Sequence, residues 1–159
     1  MWPPSDVGEV FEAFLVLRRR GHGPFALALL ALGRIAADLV AQHPANTQYQ
    51  NELFMAGSNL GSAYQAQGAL EPAGARFDDA LKSAASLAAA DPRPEAQTNL
   101  AYAHNQLGLV LGQLGKLDAS REQFRQEVSL RERLLAADPK DAENKLRLGT
   151  SRYFLGQVL

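Results

Sequence analysis

The sequence predicts an all-α protein in which antiparallel helix hairpins repeat along the chain and stack as a short α-solenoid. Three observations lead there. Ala and Leu dominate and Val, Ile and Thr are few, so strong helix formers outnumber strand formers throughout the 159 residues. A set of residues recurs at one spacing: Leu60-Gly61 as Leu107-Gly108, Gly68-Ala69-Leu70 as Gly115-Lys116-Leu117, Phe77 as Phe124 and Asp91-Pro92 as Asp138-Pro139, each 47 positions apart. Between these landmarks the apolar residues step by three and four, the spacing of one helix face.

Residues 1–24 read as a separate N-terminal capping helix. Ser5 caps a helix that begins at Asp6, with Glu9 on its second turn. Val10, Phe11, Phe14 and Leu17 form its apolar face, and Gly21-His22-Gly23-Pro24 ends it. With no basic leader, and with Glu9 and Glu12 interrupting the first apolar run, this stretch reads poorly as a signal peptide. The run from Phe25 to Leu32 follows Arg18-Arg19-Arg20, the order a membrane anchor would use. It falls short of the roughly 20 apolar residues a span needs, and Arg34 and Asp38 lie just beyond it. It reads as a buried helix that leads the repeats.

The repeats occupy residues 25–159. His43-Pro44 matches Asp91-Pro92 at a spacing of 48 and opens the first unit. In the second unit Leu100, Ala103, Leu107, Leu111 and Leu114 lie along one helix face. Pro94 starts that helix, where its missing N–H costs nothing, and Gly115-Lys116 breaks it. Leu117, Phe124, Val128 and Leu135 carry a second stripe, which Asp138-Pro139 ends because the residue before proline is pushed out of the α region. Neither stripe can be buried by its own helix; pairing within a unit and stacking between units bury both.

A third copy starts at Lys140, where Leu148 and Leu155-Gly156 match Leu100 and Leu107-Gly108 at a spacing of 48. Only a first helix follows, so the array holds about two and a half hairpins plus a leading helix, about seven helices in all with the one at 1–24. Leu148, Leu155, Val158 and Leu159 share a stripe, and one side of this helix awaits a partner. Such a patch marks either a fragment of a longer array or self-association through the C-terminal helix.

The matched residues resemble the tetratricopeptide repeat. Leu60, Gly61, Tyr64, Ala73, Phe77 and Ala80 stand at that family's positions in the first unit, and Leu107, Gly108, Leu111, Ser120, Phe124 and Glu127 match more weakly in the second. The chain departs from the family in period, 47 or 48 here against the usual 34. The family's proline would fall at Ala85 and Glu132 but comes later, at Pro92 and Pro139, which makes the helices longer. The family's Trp is replaced by Gly57, His104 and Arg152.

The resemblance implies a concave groove, lined by the first helices, that binds a protein or peptide. By position the lining is Met55, Ser58, Asn59, Ser62 and Gln65, then Tyr102, Asn105, Gln106, Leu109 and Gln113, with Thr150, Tyr153, Phe154 and Gln157 continuing it. Some members clamp a C-terminal carboxylate with Lys and Arg. Met55, Ser58, Ser62 and Tyr102 stand there instead, so the likeness does not extend to that clamp. Asn and Gln can donate to and accept from a peptide backbone, and Tyr and Met give adaptable apolar contact. For any single polar residue, plain solvation of a helix surface accounts for its presence equally well.

Charge separates the two helices of each unit. The first helices, about 46–67 and 94–114, carry only Glu52 and Glu95. The second carry Asp78, Asp79 and Lys82, then Arg121, Glu122, Arg125, Glu127, Arg131, Glu132 and Arg133. Charged faces turn to water, so the first helices form the inner layer and the second the outer. Asp78, Asp79 and Glu127 read as members of solvated ion pairs worth about 0.3–0.5 kcal/mol each.

Several functions are excluded on the same grounds. Net charge is -1 and basic residues alternate with acidic ones, so neither nucleic acid nor an anionic membrane is an expected partner. With no cysteine there is no disulfide, thiolate metal site or cysteine nucleophile. The three histidines, His22, His43 and His104, are scattered, and His104 reads as a packing residue. No carboxylate pair falls at helical spacing on an apolar inner face and no phosphate-binding glycine loop is present, so no catalytic residue, metal or cofactor is expected. The expectation is a cytoplasmic protein–protein interaction scaffold, not an enzyme. The alternative is a structural spacer or oligomerisation segment of a larger multidomain signalling protein.

Overall fold

A computed structural model describes residues 24–158, which form six helices and no strand: α1 (Pro24–Gln42), α2 (Thr47–Ala66), α3 (Leu70–Ala90), α4 (Pro94–Gln113), α5 (Leu117–Ala137) and α6 (Ala142–Gln157). Residues 1–23 of the expected capping segment and Leu159 lie outside the described residues, while Pro24, expected to end that segment, starts α1. Each helix packs on the next in chain order, giving stacked hairpins α2–α3 and α4–α5 with α1 before them and α6 after. The period of 47 has a simple origin: first helices of 20 residues, second helices of 21 and three-residue connectors.

Two turn designs alternate. Inside each hairpin a glycine adopts φ +74°, Gly68 in one and Gly115 in the other. Gly68 N–H donates to the Gln65 carbonyl and Ala69 N–H to that of Tyr64, both at 3.0 Å. Gly115 and Lys116 repeat the pattern onto Gly112 and Leu111 at 3.0 and 2.9 Å. These are Schellman caps, which need a residue without a Cβ at the left-handed position. Between hairpins the Asp-Pro pairs take over. Asp91 Oδ1 accepts from Arg93 N–H at 3.0 Å, and Asp138 Oδ1 from Lys140 N–H at 3.0 Å. The Arg93 side chain also hydrogen-bonds Asp91, and this bond above all holds the Asp91 carboxyl below the usual carboxylate range. The support it gives the turn is present above the unfolded carboxyl pKa and is lost as pH falls through the lower folded value.

The repeat positions are the core. Leu60, Gly61, Tyr64, Ala73, Phe77 and Ala80 are all buried, as are Leu107, Gly108, Ser120, Phe124 and Glu127, with Leu111 half-buried. One cluster, Leu29, Leu60, Tyr64, Ala73, Phe77, Leu107 and Val110, runs through α1 to α4 and ties the units together. Ser120 stands where the first unit has Ala73, and its hydroxyl is satisfied by donating to the Gly108 carbonyl at 2.7 Å. The apolar stripe of α5 differs from the sequence expectation. Leu117 is exposed and Val128 and Leu135 are half-buried, while α5 buries Ser120, Phe124, Glu127, Leu130 and Arg131. A count of apolar residues misplaces this face because three of its five buried members are polar.

The glycines of the first helices admit the aromatic rings of the second. A Cβ on Gly61 would lie 2.6 Å from the Phe77 ring, and one on Gly108 would lie 3.1 Å from that of Phe124. An Ala in a helix interior gains about 1 kcal/mol over Gly, whereas overpacking costs about 1–3 kcal/mol. At 2.6 Å the clash dominates, and at 3.1 Å the two effects nearly cancel. Gly61→Ala is therefore expected to destabilise, and by more than Gly108→Ala. Urea unfolding of both variants checks this; a neutral or stabilising Gly61→Ala would contradict the packing.

Candidate partner-binding surface

The α2 and α4 helices lie side by side and meet through a row of polar pairs. Asn99 Nδ2 donates to Asn51 Oδ1 at 3.1 Å, Ser58 Oγ to Gln106 Oε1 at 2.7 Å and Gln65 Nε2 to Gln113 Oε1 at 2.7 Å. Each pair is 48 residues apart, and along each helix the members step by seven. Seven residues is nearly two full turns, so successive members return to the same face. Gln106 Nε2 also reaches Tyr102 OH at 3.2 Å and Ser62 Oγ at 3.4 Å.

This row corrects part of the expected groove lining. Ser58 and Gln106 are buried inside it and are not available to a partner. Gln65 and Gln113 bond each other, and half-buried Asn105 turns into its hairpin, where its Nδ2 donates to Glu127 Oε2 at 2.9 Å. The physical reason is that side-by-side first helices bring these amides within reach of one another, which no single-helix pattern reveals. Met55, Asn59 and Ser62 on α2 remain exposed, as do Tyr102 and Gln113 on α4, with Leu109 half-buried. On α6, Thr150, Tyr153 and Gln157 are exposed, while Phe154 is half-buried and stacks on Phe124 with ring centroids 5.6 Å apart.

Leu146 was absent from the expected lining, yet it is 73% exposed, one turn before Thr150 on α6. Extending the Thr150–Tyr153 face back by four residues would have found it. With Met55 at 45%, Tyr102 at 38% and Tyr153 at 62%, the first helices hold four of the six exposed large hydrophobics among the described residues.

Between α4 and α6 the polar row gives way to a cavity of about 330 Å³, lined in part by Asn105, Glu127, Arg131, Leu146, Thr150 and Phe154. Glu127 and Arg131 are 1% and 2% exposed, not the solvated charges expected on an outer helix. Arg131 Nε donates to Glu127 Oε1 at 2.7 Å and its Nη1 to Asn144 Oδ1 at 3.4 Å, while Asn144 Nδ2 returns a bond to the Arg131 carbonyl at 2.9 Å. Asn105 takes the second Glu127 oxygen, so each carboxylate oxygen has a partner. The repeat explains the space. Ala80 and Ala84 occupy these positions in the first unit, packed with Phe54; the second unit has Ala101 where Phe54 stands, and the two long side chains fill the volume.

His104 is half-buried and its Nδ1 lies 2.8 Å from Gln123 Oε1, joining α4 to α5. A hollow of about 480 Å³ also opens between α1 and α3, floored by α2 residues such as Leu53 and Leu60. None of its lining residues belongs to the exposed first-helix face of Met55, Tyr102, Leu146 and Tyr153. Among the described residues no group of three or more His, Asp or Glu is placed to hold a metal ion, and no helix is long and apolar enough to cross a membrane. No protein-family model matches the chain, and no curated protein matches it.

Proposed function

We propose that this chain is a long-period tetratricopeptide-type scaffold that binds a protein or peptide segment along the exposed face of its first helices. The observation that supports this reading is the line of Met55, Tyr102, Leu146 and Tyr153, one or two on each first helix. Surface apolar residues gathered on one face characterise interaction sites, and Met and Tyr are adaptable contact residues. Asn59 and Ser62 lie on α2 beside Met55 and supply polar contact to a peptide backbone. The partner segment is accordingly uncharged and carries aliphatic or aromatic side chains. The reading involves no catalytic step, cofactor, nucleic acid or membrane. The absence of cysteine fits a cytoplasmic setting.

The alternative, a spacer without a groove ligand, draws on the polar row, which spends six of the inner side chains on joining α2 to α4. Selection from a displayed random-peptide library separates the two. Binding along the first helices yields enriched sequences rich in apolar and poor in charged residues, and Tyr102→Ala or Met55→Ala weakens them about tenfold or more, as loss of a contact anchor does. Failure to enrich, or enriched peptides indifferent to both substitutions, would leave the spacer.

A further inference from the structure

We propose that the cavity between α4 and α6 is a specificity pocket for an uncharged amide side chain, a glutamine or asparagine of the partner segment, whose carbonyl oxygen accepts from Arg131. This rests on the first-helix reading and names one residue class that the partner carries. The cavity lies among α4, α5 and α6, and its lining includes Leu146 and Thr150, which are exposed on the proposed binding face. Arg131 lines it from α5 while only 2% exposed.

The guanidinium is not fully used. Nε donates to Glu127 and Nη1 to Asn144, whereas Nη2 donates to no group among the described residues. Nor is Nη2 sealed in, because among the described residues Gln50 Oε1 is the one enclosed side-chain atom left without a partner. A buried donor that borders a cavity and lacks an acceptor favours a ligand that brings one. Charge decides which acceptor. The four ionised groups of the lining are already matched, Glu127 with Arg131 at 2.7 Å and Glu143 with Arg147 at 2.9 Å. A carboxylate would bring a third negative charge with no cation to match it, and its desolvation would go uncompensated. A neutral carbonyl meets Nη2 without that penalty. Thr150 Oγ1 donates to the Leu146 carbonyl at 3.1 Å, so its oxygen is left to accept from the amide NH2. The carbonyl is carried on a side chain because Arg131 is buried at the base of the cavity, whereas Leu146, 73% exposed, marks its mouth.

The internal repeat supplies the precedent. Between α2 and α4 the matching place is filled by an amide of the chain itself: Gln106 accepts from Ser58 and donates to Tyr102 and Ser62. Between α4 and α6 the residue at the position of Gln106 is Phe154, which stacks on Phe124. The residue at the position of Ser58 is Asn105, which turns to Glu127. Neither helix sends an amide across this seam, and the partner's amide takes the place that Gln106 has in the other.

The test selects binders to the full chain from a displayed random-peptide library and measures the affinity of the most enriched peptide. The enriched sequences are expected to share a glutamine or asparagine at a fixed spacing from an apolar residue. Replacing that amide by alanine is expected to weaken binding about tenfold or more, as for loss of a buried anchor, and replacing it by the matching acid at least as much. Thr150→Phe narrows the mouth of the cavity and leaves Glu127 and Arg131 paired; against this variant the amide and alanine peptides are expected to bind alike. Glu127→Ala/Arg131→Ala removes the donor, is expected to erase the same difference, and serves if the first variant loses its cooperative thermal transition. Enriched peptides without a shared amide, or equal binding after its replacement, would overturn the pocket. If those peptides still weaken against Tyr102→Ala, the first-helix reading stands without it. An amide effect that persists in both variants would also overturn the pocket, since the amide would then bind elsewhere. Failure of any peptide to enrich would remove both readings.

Discussion

Phe77→Ala is expected to destabilise the chain by about 3–5 kcal/mol, the usual range for removing a fully buried phenylalanine. The ring is 1% exposed, seats against Gly61 and belongs to the cluster that links α1 through α4. Its loss therefore opens a cavity at the junction of two units as well as within one hairpin. Phe124→Ala is expected to cost a similar amount, because that ring fills the Gly108 notch and also stacks on Phe154 of α6. Domains of this size are stable by about 5–15 kcal/mol in all, so either variant approaches the threshold for folding. Urea unfolding followed by far-UV circular dichroism measures both; losses below about 1 kcal/mol at both sites would contradict the packing described.

Glu127→Ala is expected to destabilise by about 3–5 kcal/mol, since it leaves the guanidinium of Arg131 buried without its counter-ion. The pair itself is weak evidence of stabilisation, because desolvating two charges offsets most of their attraction. The asymmetry is therefore the diagnostic feature. The double variant Glu127→Ala/Arg131→Ala restores the alanines of the first unit and is expected to lose less than Glu127→Ala alone. Adding Ala101→Phe, which copies Phe54, is expected to recover more of the loss by filling the space. A double-mutant cycle in which the two single losses simply add would contradict the buried pair.

The contrast between these two sites shows how far the sequence could be read. Helix hairpins, their order and the place of Phe124 on a buried stripe, which Phe77 shares by recurrence, followed from local signals: apolar spacing, the Gly68 and Gly115 turns and the Asp-Pro stops. All depend on residues close in sequence or on exact recurrence. Glu127 and Arg131 were hidden because their sequence neighbours are charged, so periodicity assigned them to water. Their burial depends on the Phe54-to-Ala101 exchange, more than twenty residues away on another helix. Ser58 and Gln106 were assigned to the groove for a related reason. Helical position puts them on the inner layer, but only the side-by-side placement of α2 and α4 shows that they bond each other. Met55, Tyr102 and Tyr153 were found because their exposure depends on helix face alone, and Leu146 was within reach of the same logic.

The first-helix face as a binding surface is tested most directly by mapping where a selected peptide binds. The measurement is a heteronuclear NMR titration of the labelled chain, with side-chain methyl and amide signals assigned. The expected result is that shifts cluster on Met55, Asn59, Ser62, Tyr102, Leu146, Thr150 and Tyr153, with the outer residues Asp79, Lys82, Glu122 and Arg125 unmoved. Shifts confined to α3 and α5, or to the hollow between α1 and α3, would contradict it.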